Sequence, residues 1–143
     1  MRSIVLLLIL AAWAPSYARQ TATAVSPGAA FQTERFYRSE LYMGRSIPNG
    51  GAVSDAEWEQ FLTEVVTPRF PEGFTVLSAR GQWRESSGAI AKEPSEVLVF
   101  LYKKADRRAA DRKIDEIRRE YIRRFRQESV MRVDLRKSVI VAL

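Results

Sequence analysis

The stretch Thr67-Pro68-Arg69-Phe70-Pro71-Glu72-Gly73-Phe74-Thr75-Val76 constrains this chain more than any other. Proline lacks an amide and clashes with the preceding helical turn, so a helix arriving from the N-terminal side must stop here. The residue before each proline is pushed toward extended geometry, which predicts that Thr67 and Phe70 leave the helix. Pro71-Glu72-Gly73 then reads as a turn, with proline presetting φ and glycine permitting positive φ. A strand is expected from Phe74, closing at Gly81-Gln82-Trp83. One arginine and two phenylalanines are thereby fixed on a stiff connector between two regular elements.

The element before the connector is a helix. Ser54-Asp55-Ala56-Glu57 is a capping box, in which Ser54 caps the first amides and Glu57 reaches back to the Ser54 N–H. Trp58, Phe61, Leu62, Val65 and Val66 follow at i, i+3, i+4, i+7 and i+8, a single apolar stripe. Upstream, Phe36 to Arg45 alternates as a strand, with Tyr37, Ser39, Leu41 and Met43 on one face and Phe36, Arg38, Glu40 and Tyr42 on the other. Ile47-Pro48-Asn49-Gly50-Gly51 is a loop.

Downstream, Ser86-Ser87-Gly88 reads as a hairpin loop and Ala89 begins the return strand. Pro94 is awkward inside a sheet, so the return is expected to pause near Glu93 and restart at Glu96. Val97 to Tyr102 is nearly continuous in apolar residues, as a central strand should be. A long helix is predicted from Asp106 to about Gln127, burying Ala110, Ile114, Ile117, Tyr121 and Phe125, with Ile122 beside them. Val130 to Val141 alternates once more, with Met131, Val133 and Leu135 facing one way and Arg132, Asp134 and Arg136 the other.

The order strand, helix, strand, strand, helix, strand defines the expected class: α+β, a ferredoxin-like βαββαβ domain with a four-stranded antiparallel sheet and two helices on one face. Right-handed crossovers place the first and third strands centrally and the second and fourth at the edges. The opposite face has no helix to cover it. Glu40 and Tyr42 are expected at its centre, Val97, Val99 and Leu101 beside them, and Arg132, Asp134 and Arg136 at its edge. A half-apolar face of this kind calls for a cover, and two sheets meeting face to face around a cavity would supply one.

The domain is expected over residues 36–143, after a signal peptide over 1–18 and a flexible lead-in over 19–35. Met1-Arg2 is a basic start, Ile4 to Ala14 an apolar run, and Ser16-Tyr17-Ala18 a small-x-small cleavage pattern. The apolar run is about half of the ~20 residues a membrane span requires, so no stable membrane span is expected. Periplasmic or secreted localisation follows.

With no cysteine, no lipid can be attached through an N-terminal cysteine and no disulfide can form. With no histidine either, Ser–His and Cys–His catalysis and the usual zinc sites are excluded. No glycine-rich phosphate cradle and no calcium loop is present, so neither a metal nor a cofactor is expected.

The chain carries 23 Lys and Arg against 17 Asp and Glu, a net charge of +6. Loss of Arg2 with the signal peptide leaves about +5. The arginines of the second helix, Arg107 to Arg126, would suit an anionic partner, but its acids tell against nucleic acid. Asp115 precedes Arg119 by four and Glu120 precedes Arg124 by four, the favourable order for helix pairs, so the face reads as solvated.

Glu40-Leu41-Tyr42-Met43-Gly44-Arg45, Val53-Ser54, Trp58, Phe61, Thr67 to Val76, Gly81-Gln82-Trp83 and Glu93 together resemble the bacterial exported family catalogued as domain of unknown function 3574. The Arg-Phe-Pro-x-Gly-Phe-Thr and Gly-Gln-Trp elements carry most of that resemblance. It implies a relative and no reaction.

The candidate site residues are Glu40, Tyr42, Arg45, Arg69, Trp83 and Glu93. One reading makes the open sheet face a binding surface for a small molecule or an envelope protein, with the chain as a homodimer. The alternative is a small enzyme using Glu40 or Glu93 with Tyr42 as an acid–base pair and Arg45 or Arg69 as an anion clamp. The enzyme requires at least three of these side chains to converge in one pocket. A third reading is scaffolding alone, with the charges salt-bridged and Trp83 in the core.

Overall fold

The computed structural model describes residues 32–47, 50–84, 88–135 and 137–142. The expected signal peptide, most of the lead-in, Arg136 and most of the Ser86-Ser87-Gly88 loop lie outside these. The described elements run β1 (Thr33–Gly44), α1 (Asp55–Phe61), β2 (Thr75–Arg84), β3 (Ile90–Tyr102), α2 (Arg107–Phe125), β4 (Met131–Asp134) and β5 (Val139–Ala142). The fold is α+β, two helices on a five-stranded antiparallel sheet. The sheet is ordered β2-β3-β1-β4, with β5 also on β1.

The first and third strands are therefore central, as the crossover rule requires. The strand count differs from four because the last strand is broken. Asp134 pairs with Ser39 and Val139 with Phe36, so residues 135–138 oppose only Tyr37 and Arg38. The surplus cannot stay in the ladder and splits it into β4 and β5. β1 itself begins at Thr33, three residues before Phe36, because β5 pairs it back to that point.

The capping box forms as read: the Ser54 hydroxyl accepts from Glu57 N–H, and the Glu57 carboxylate accepts from Ser54 N–H at 2.8 Å. All five residues of the apolar stripe are buried. The helix end differs from expectation. Thr67 stays helical (φ −54°, ψ −44°), and its N–H donates to Leu62 O at 2.8 Å, across a wider turn at Leu62–Val66. That i→i+5 turn, followed by Pro68 with no amide to satisfy, carries the helix one residue further than proline sterics alone allow. Phe70 and Gly73 then close the expected turn, with Gly73 N–H on Phe70 O and φ +127° at Gly73. Phe70 is buried and packs on Phe100 of β3, ring centroids 4.4 Å apart, with Phe74 at 6.1 Å.

Pro94 does not interrupt β3, contrary to the sequence reading. Its missing N–H points toward β1, not β2. Pro94 O accepts from Arg45 N–H, and the Arg45 carbonyl that proline cannot serve accepts from Val53 N–H at 2.8 Å. The β2–β3 ladder therefore runs unbroken from Thr75↔Val99 to Arg84↔Ile90.

The core lies between helices and sheet: Leu41 and Met43 of β1, Leu98 and Phe100 of β3, the α1 stripe, and Ala110, Ile114, Ile117, Tyr121 and Phe125 of α2. Tyr121 sits edge-on to Trp58 and Phe61 and donates its hydroxyl to Gly44 O at 3.0 Å. Burial raises its phenol well above the ordinary value.

Candidate functional site

Cross-strand neighbours share a face, so the register defines the helix-free side of the sheet. Arg38, Glu40 and Tyr42 of β1 stand opposite Leu101, Val99 and Val97 of β3. On the other flank Glu40 faces Val133 and Tyr42 faces Met131. Leu77 and Thr75 of β2 continue the surface beyond Val97 and Val99. The result is an apolar field with a charged line through its middle.

That line is internally bonded. The Tyr42 hydroxyl donates to Glu40 Oε2 at 2.6 Å, and Arg38 Nη2 meets Glu40 Oε1 at 2.7 Å. The Glu40 side chain keeps 12% exposure, with Val99 and Val133 as its cross-strand neighbours and no further layer over it among the described residues. Its hydrogen bond raises the Tyr42 phenol above the ordinary value, since losing the proton would place an anion beside the carboxylate. Arg38 Nε is buried and meets no acceptor among the described residues. Leu77, Leu101, Met131 and Val133 are exposed around this line.

The edge of this face was expected to be charged, and the structure corrects that. Arg132 pairs with Leu41 and Asp134 with Ser39, both on the helix side. Arg132 there bonds Asp111, Asp115 and Asp134 at 2.6, 3.1 and 3.0 Å. Asp115 bonds Arg118 at 3.2 Å as well. The expected i,i+4 pair of Glu120 with Arg124 is present at 3.8 Å, while Asp115 turns away from Arg119 to meet Arg118 and Arg132. Met131 and Val133 take the open side, which is more apolar than the sequence reading had it.

Glu93 and Trp83 lie on the same sheet face as Tyr42 but further along, on the hairpin arm past the end of β1. Trp83 Nε1 donates to Glu93 Oε1 and Ser46 N–H donates to Glu93 Oε2, both at 3.1 Å. Gly44 makes room for this carboxylate, since a Cβ there would overlap it. Trp83 is exposed, not a core residue.

The two arginines go elsewhere. Arg45 turns to the helix side, where it bonds Val53 O, Asp55 and the buried Glu96. Arg69 donates to Val65 O at 2.8 Å and to Glu116 of α2 at 3.1 Å, tying the connector to the second helix. Glu40 with Tyr42, and Trp83 with Glu93, form two pairs on one face, with neither arginine among them.

The sequence reading overlooked a cleft of about 470 Å³ beside α2, lined by Tyr37, Tyr102, Arg107, Asp111, Arg132 and Asp134 among others. Buried Ser39 links Tyr102 to Asp134 at its base. The only signal was Ser39 on the apolar side of a central strand. Among the described residues, no group of three or more His, Cys, Asp or Glu is arranged to hold a metal ion. No helix there is long and apolar enough to cross a membrane.

The described residues form a two-layer α+β domain in which no helix covers the second sheet face. Residues 38–140 match the family described as "Protein of unknown function (DUF3574)", and the chain belongs to that family. No curated protein matches it. Its fold is similar to that of a phage SAM lyase solved in complex with S-methyl-5'-thioadenosine (15% identity, TM-score 0.56, 76% of this chain and 90% of that one). The phage SAM lyase in its apo state is similar as well (14%, 0.54, 76% and 90%). So is CutA from Synechococcus elongatus (13%, 0.50, 78% and 86%). At such identities the likeness is one of fold.

Proposed function

We propose that this is an exported, ferredoxin-like binding domain, acting as a homodimer, whose open sheet face receives a small molecule or an envelope protein. The observation that carries the reading is the Arg38–Glu40–Tyr42 line. A charged, hydrogen-bonded line beside buried Val97 and Val99 and rimmed by exposed Leu77, Leu101, Met131 and Val133 lets a ligand bury area while a few fixed polar groups orient it. The Arg38 side chain, 39% exposed and bonded to Glu40 through Nη2, presents guanidinium donors to an acceptor on that ligand. Export rests on the basic start, apolar run and cleavage pattern of residues 1–18.

The catalytic alternative finds its glutamate–tyrosine pair but not its clamp, because Arg45 and Arg69 are spent on the scaffold. The binding reading is therefore preferred. The phage lyase shares too little sequence to bring its reaction to this chain.

The test is a fragment library screened by two-dimensional NMR on the domain lacking residues 1–18. Hits are expected to shift the amides of Glu40, Tyr42, Val99 and Val133 together. Hits that map only to the α2 cleft, or none at all, would overturn the reading.

A further inference from the structure

The sheet has two outer edges, and they are unlike. The β4/β5 edge consists of two four-residue strands with residues 135–138 between them. Short, interrupted strands offer no continuous template for another chain. The β2 edge is ten residues long, contains no proline, and keeps one register with β3 throughout. Every β2 residue except Gly81 is exposed, and among the described residues no strand pairs with its outer side. Its charges are Arg80 and Arg84, with no lysine in the strand and, among the described residues, no bulge or covering loop to blunt it.

Pro94 shows which β2 amides face outward. In an antiparallel ladder a residue's N–H and C=O point to the same side. Pro94 directs its carbonyl to Arg45, away from β2, so its partner Arg80 directs both backbone groups away from β3. By alternation Val76, Ser78, Gln82 and Arg84 do the same. Among the described residues no strand pairs with this row of amides.

We infer that a second copy of this chain pairs with β2 in antiparallel fashion, about a two-fold axis normal to the sheet at Ala79. Such an axis keeps the open faces of both copies on one side, so it must pass through a residue. Centred on Ala79, the strands overlap from Thr75 to Trp83 and Arg80 stands opposite Ser78. Centred on Arg80, two guanidinium groups would meet. Centred on Ser78, the overlap shrinks to Thr75–Gly81. The Ala79 register pairs Val76 with Gln82 and Ser78 with Arg80, each twice, for about eight new hydrogen bonds. It also sets Leu77 opposite Gly81, which has no side chain to obstruct it. Because each copy has one continuous edge, pairing closes at two and leaves the broken edges outermost. The two open faces then become one surface.

This names the contact behind the proposed homodimer and does not require the open face to bind a ligand. The chain has no cysteine, so a single introduced thiol reports its own pairing. Ala79 would meet its copy at a non-hydrogen-bonded site, within disulfide reach. On the domain lacking residues 1–18, A79C under oxidised glutathione is expected to form covalent dimer about tenfold faster than L101C on the open face. S78P removes one outward amide and none from the β3 ladder. It is expected to turn a light-scattering dimer into a monomer with unchanged circular dichroism. Faster linking by L101C would mean that copies meet through their open faces, which overturns the edge contact and leaves the homodimer standing. A parent domain that stays monomeric up to near-millimolar concentration would remove both.

Discussion

Replacing Arg132 by methionine keeps the apolar stem and removes the charge that joins β4 to α2. Arg132 is 12% exposed and bonds three carboxylates, each between 42% and 47% exposed. A half-exposed ion pair contributes about 0.5–1 kcal/mol, and breaking a fully buried one costs about 3–5 kcal/mol. Three half-exposed pairs on one buried guanidinium place the loss at about 2–3 kcal/mol at pH 7. For a domain of this size that lowers Tm by roughly 10–20 °C.

The pH dependence gives a second handle. Burial pushes the Asp115 carboxyl up, but hydrogen bonds to Arg118 and Arg132 outweigh it and hold it below its ordinary value. A carboxyl depressed in the folded state stabilises above its unfolded pKa of about 4, and that stabilisation is lost as pH falls. The gap between parent and variant should therefore be widest near neutrality and narrow as pH falls through about 4. Thermal melts by circular dichroism from neutral to acidic pH measure both quantities. A Tm drop of under about 2 °C at neutral pH, or a gap that is constant with pH, would refute the reasoning.

Ser54→Ala removes the helix cap and should cost about 1 kcal/mol in a urea melt; an unchanged midpoint would mean that the capping box does not stabilise α1. Gly44→Ala should push Glu93 off Trp83 and Ser46. The expected cost is about 1–3 kcal/mol with a shifted tryptophan emission, and an unchanged spectrum would sink the account of that arm. Mass spectrometry of protein secreted by a bacterial host should find Arg19 as the first residue, whereas a chain still beginning at Met1 would contradict export by a cleaved signal peptide.

The parts of the fold legible in the sequence were those governed by local chemistry. The Ser54 cap, the α1 and α2 stripes and the Pro71-Glu72-Gly73 turn each depend on neighbours a few residues away. The misreadings were long-range. Pro94 looked like a strand breaker because proline lacks the amide that a strand inside a sheet donates to its ladder. Only the place where β1 ends shows that the gap faces Arg45 and is made good by Val53. The last strand alternates on paper from Met131 to Arg136, yet its surplus against Tyr37 and Arg38 becomes visible only in the register. Alternation also does not say which side is which: Arg132 takes the helix side because Asp111 and Asp115 lie there, 17 to 21 residues earlier in the chain.

For the candidate residues, strand parity correctly grouped Glu40 with Tyr42. The connector's stiffness did not reveal that Arg69 would reach Glu116 on a helix 47 residues away. The cleft beside α2 escaped notice because its charges come from two separate elements, α2 and β4.

The central claim is that the open sheet face is a binding surface. Its most direct test is the NMR fragment map repeated on the Leu101→Lys and Val133→Lys variants. Both side chains are exposed, at 42% and 38%, so Tm should hold within about 2 °C while fragment affinity falls at least about tenfold. Undiminished binding in both variants would contradict the claim.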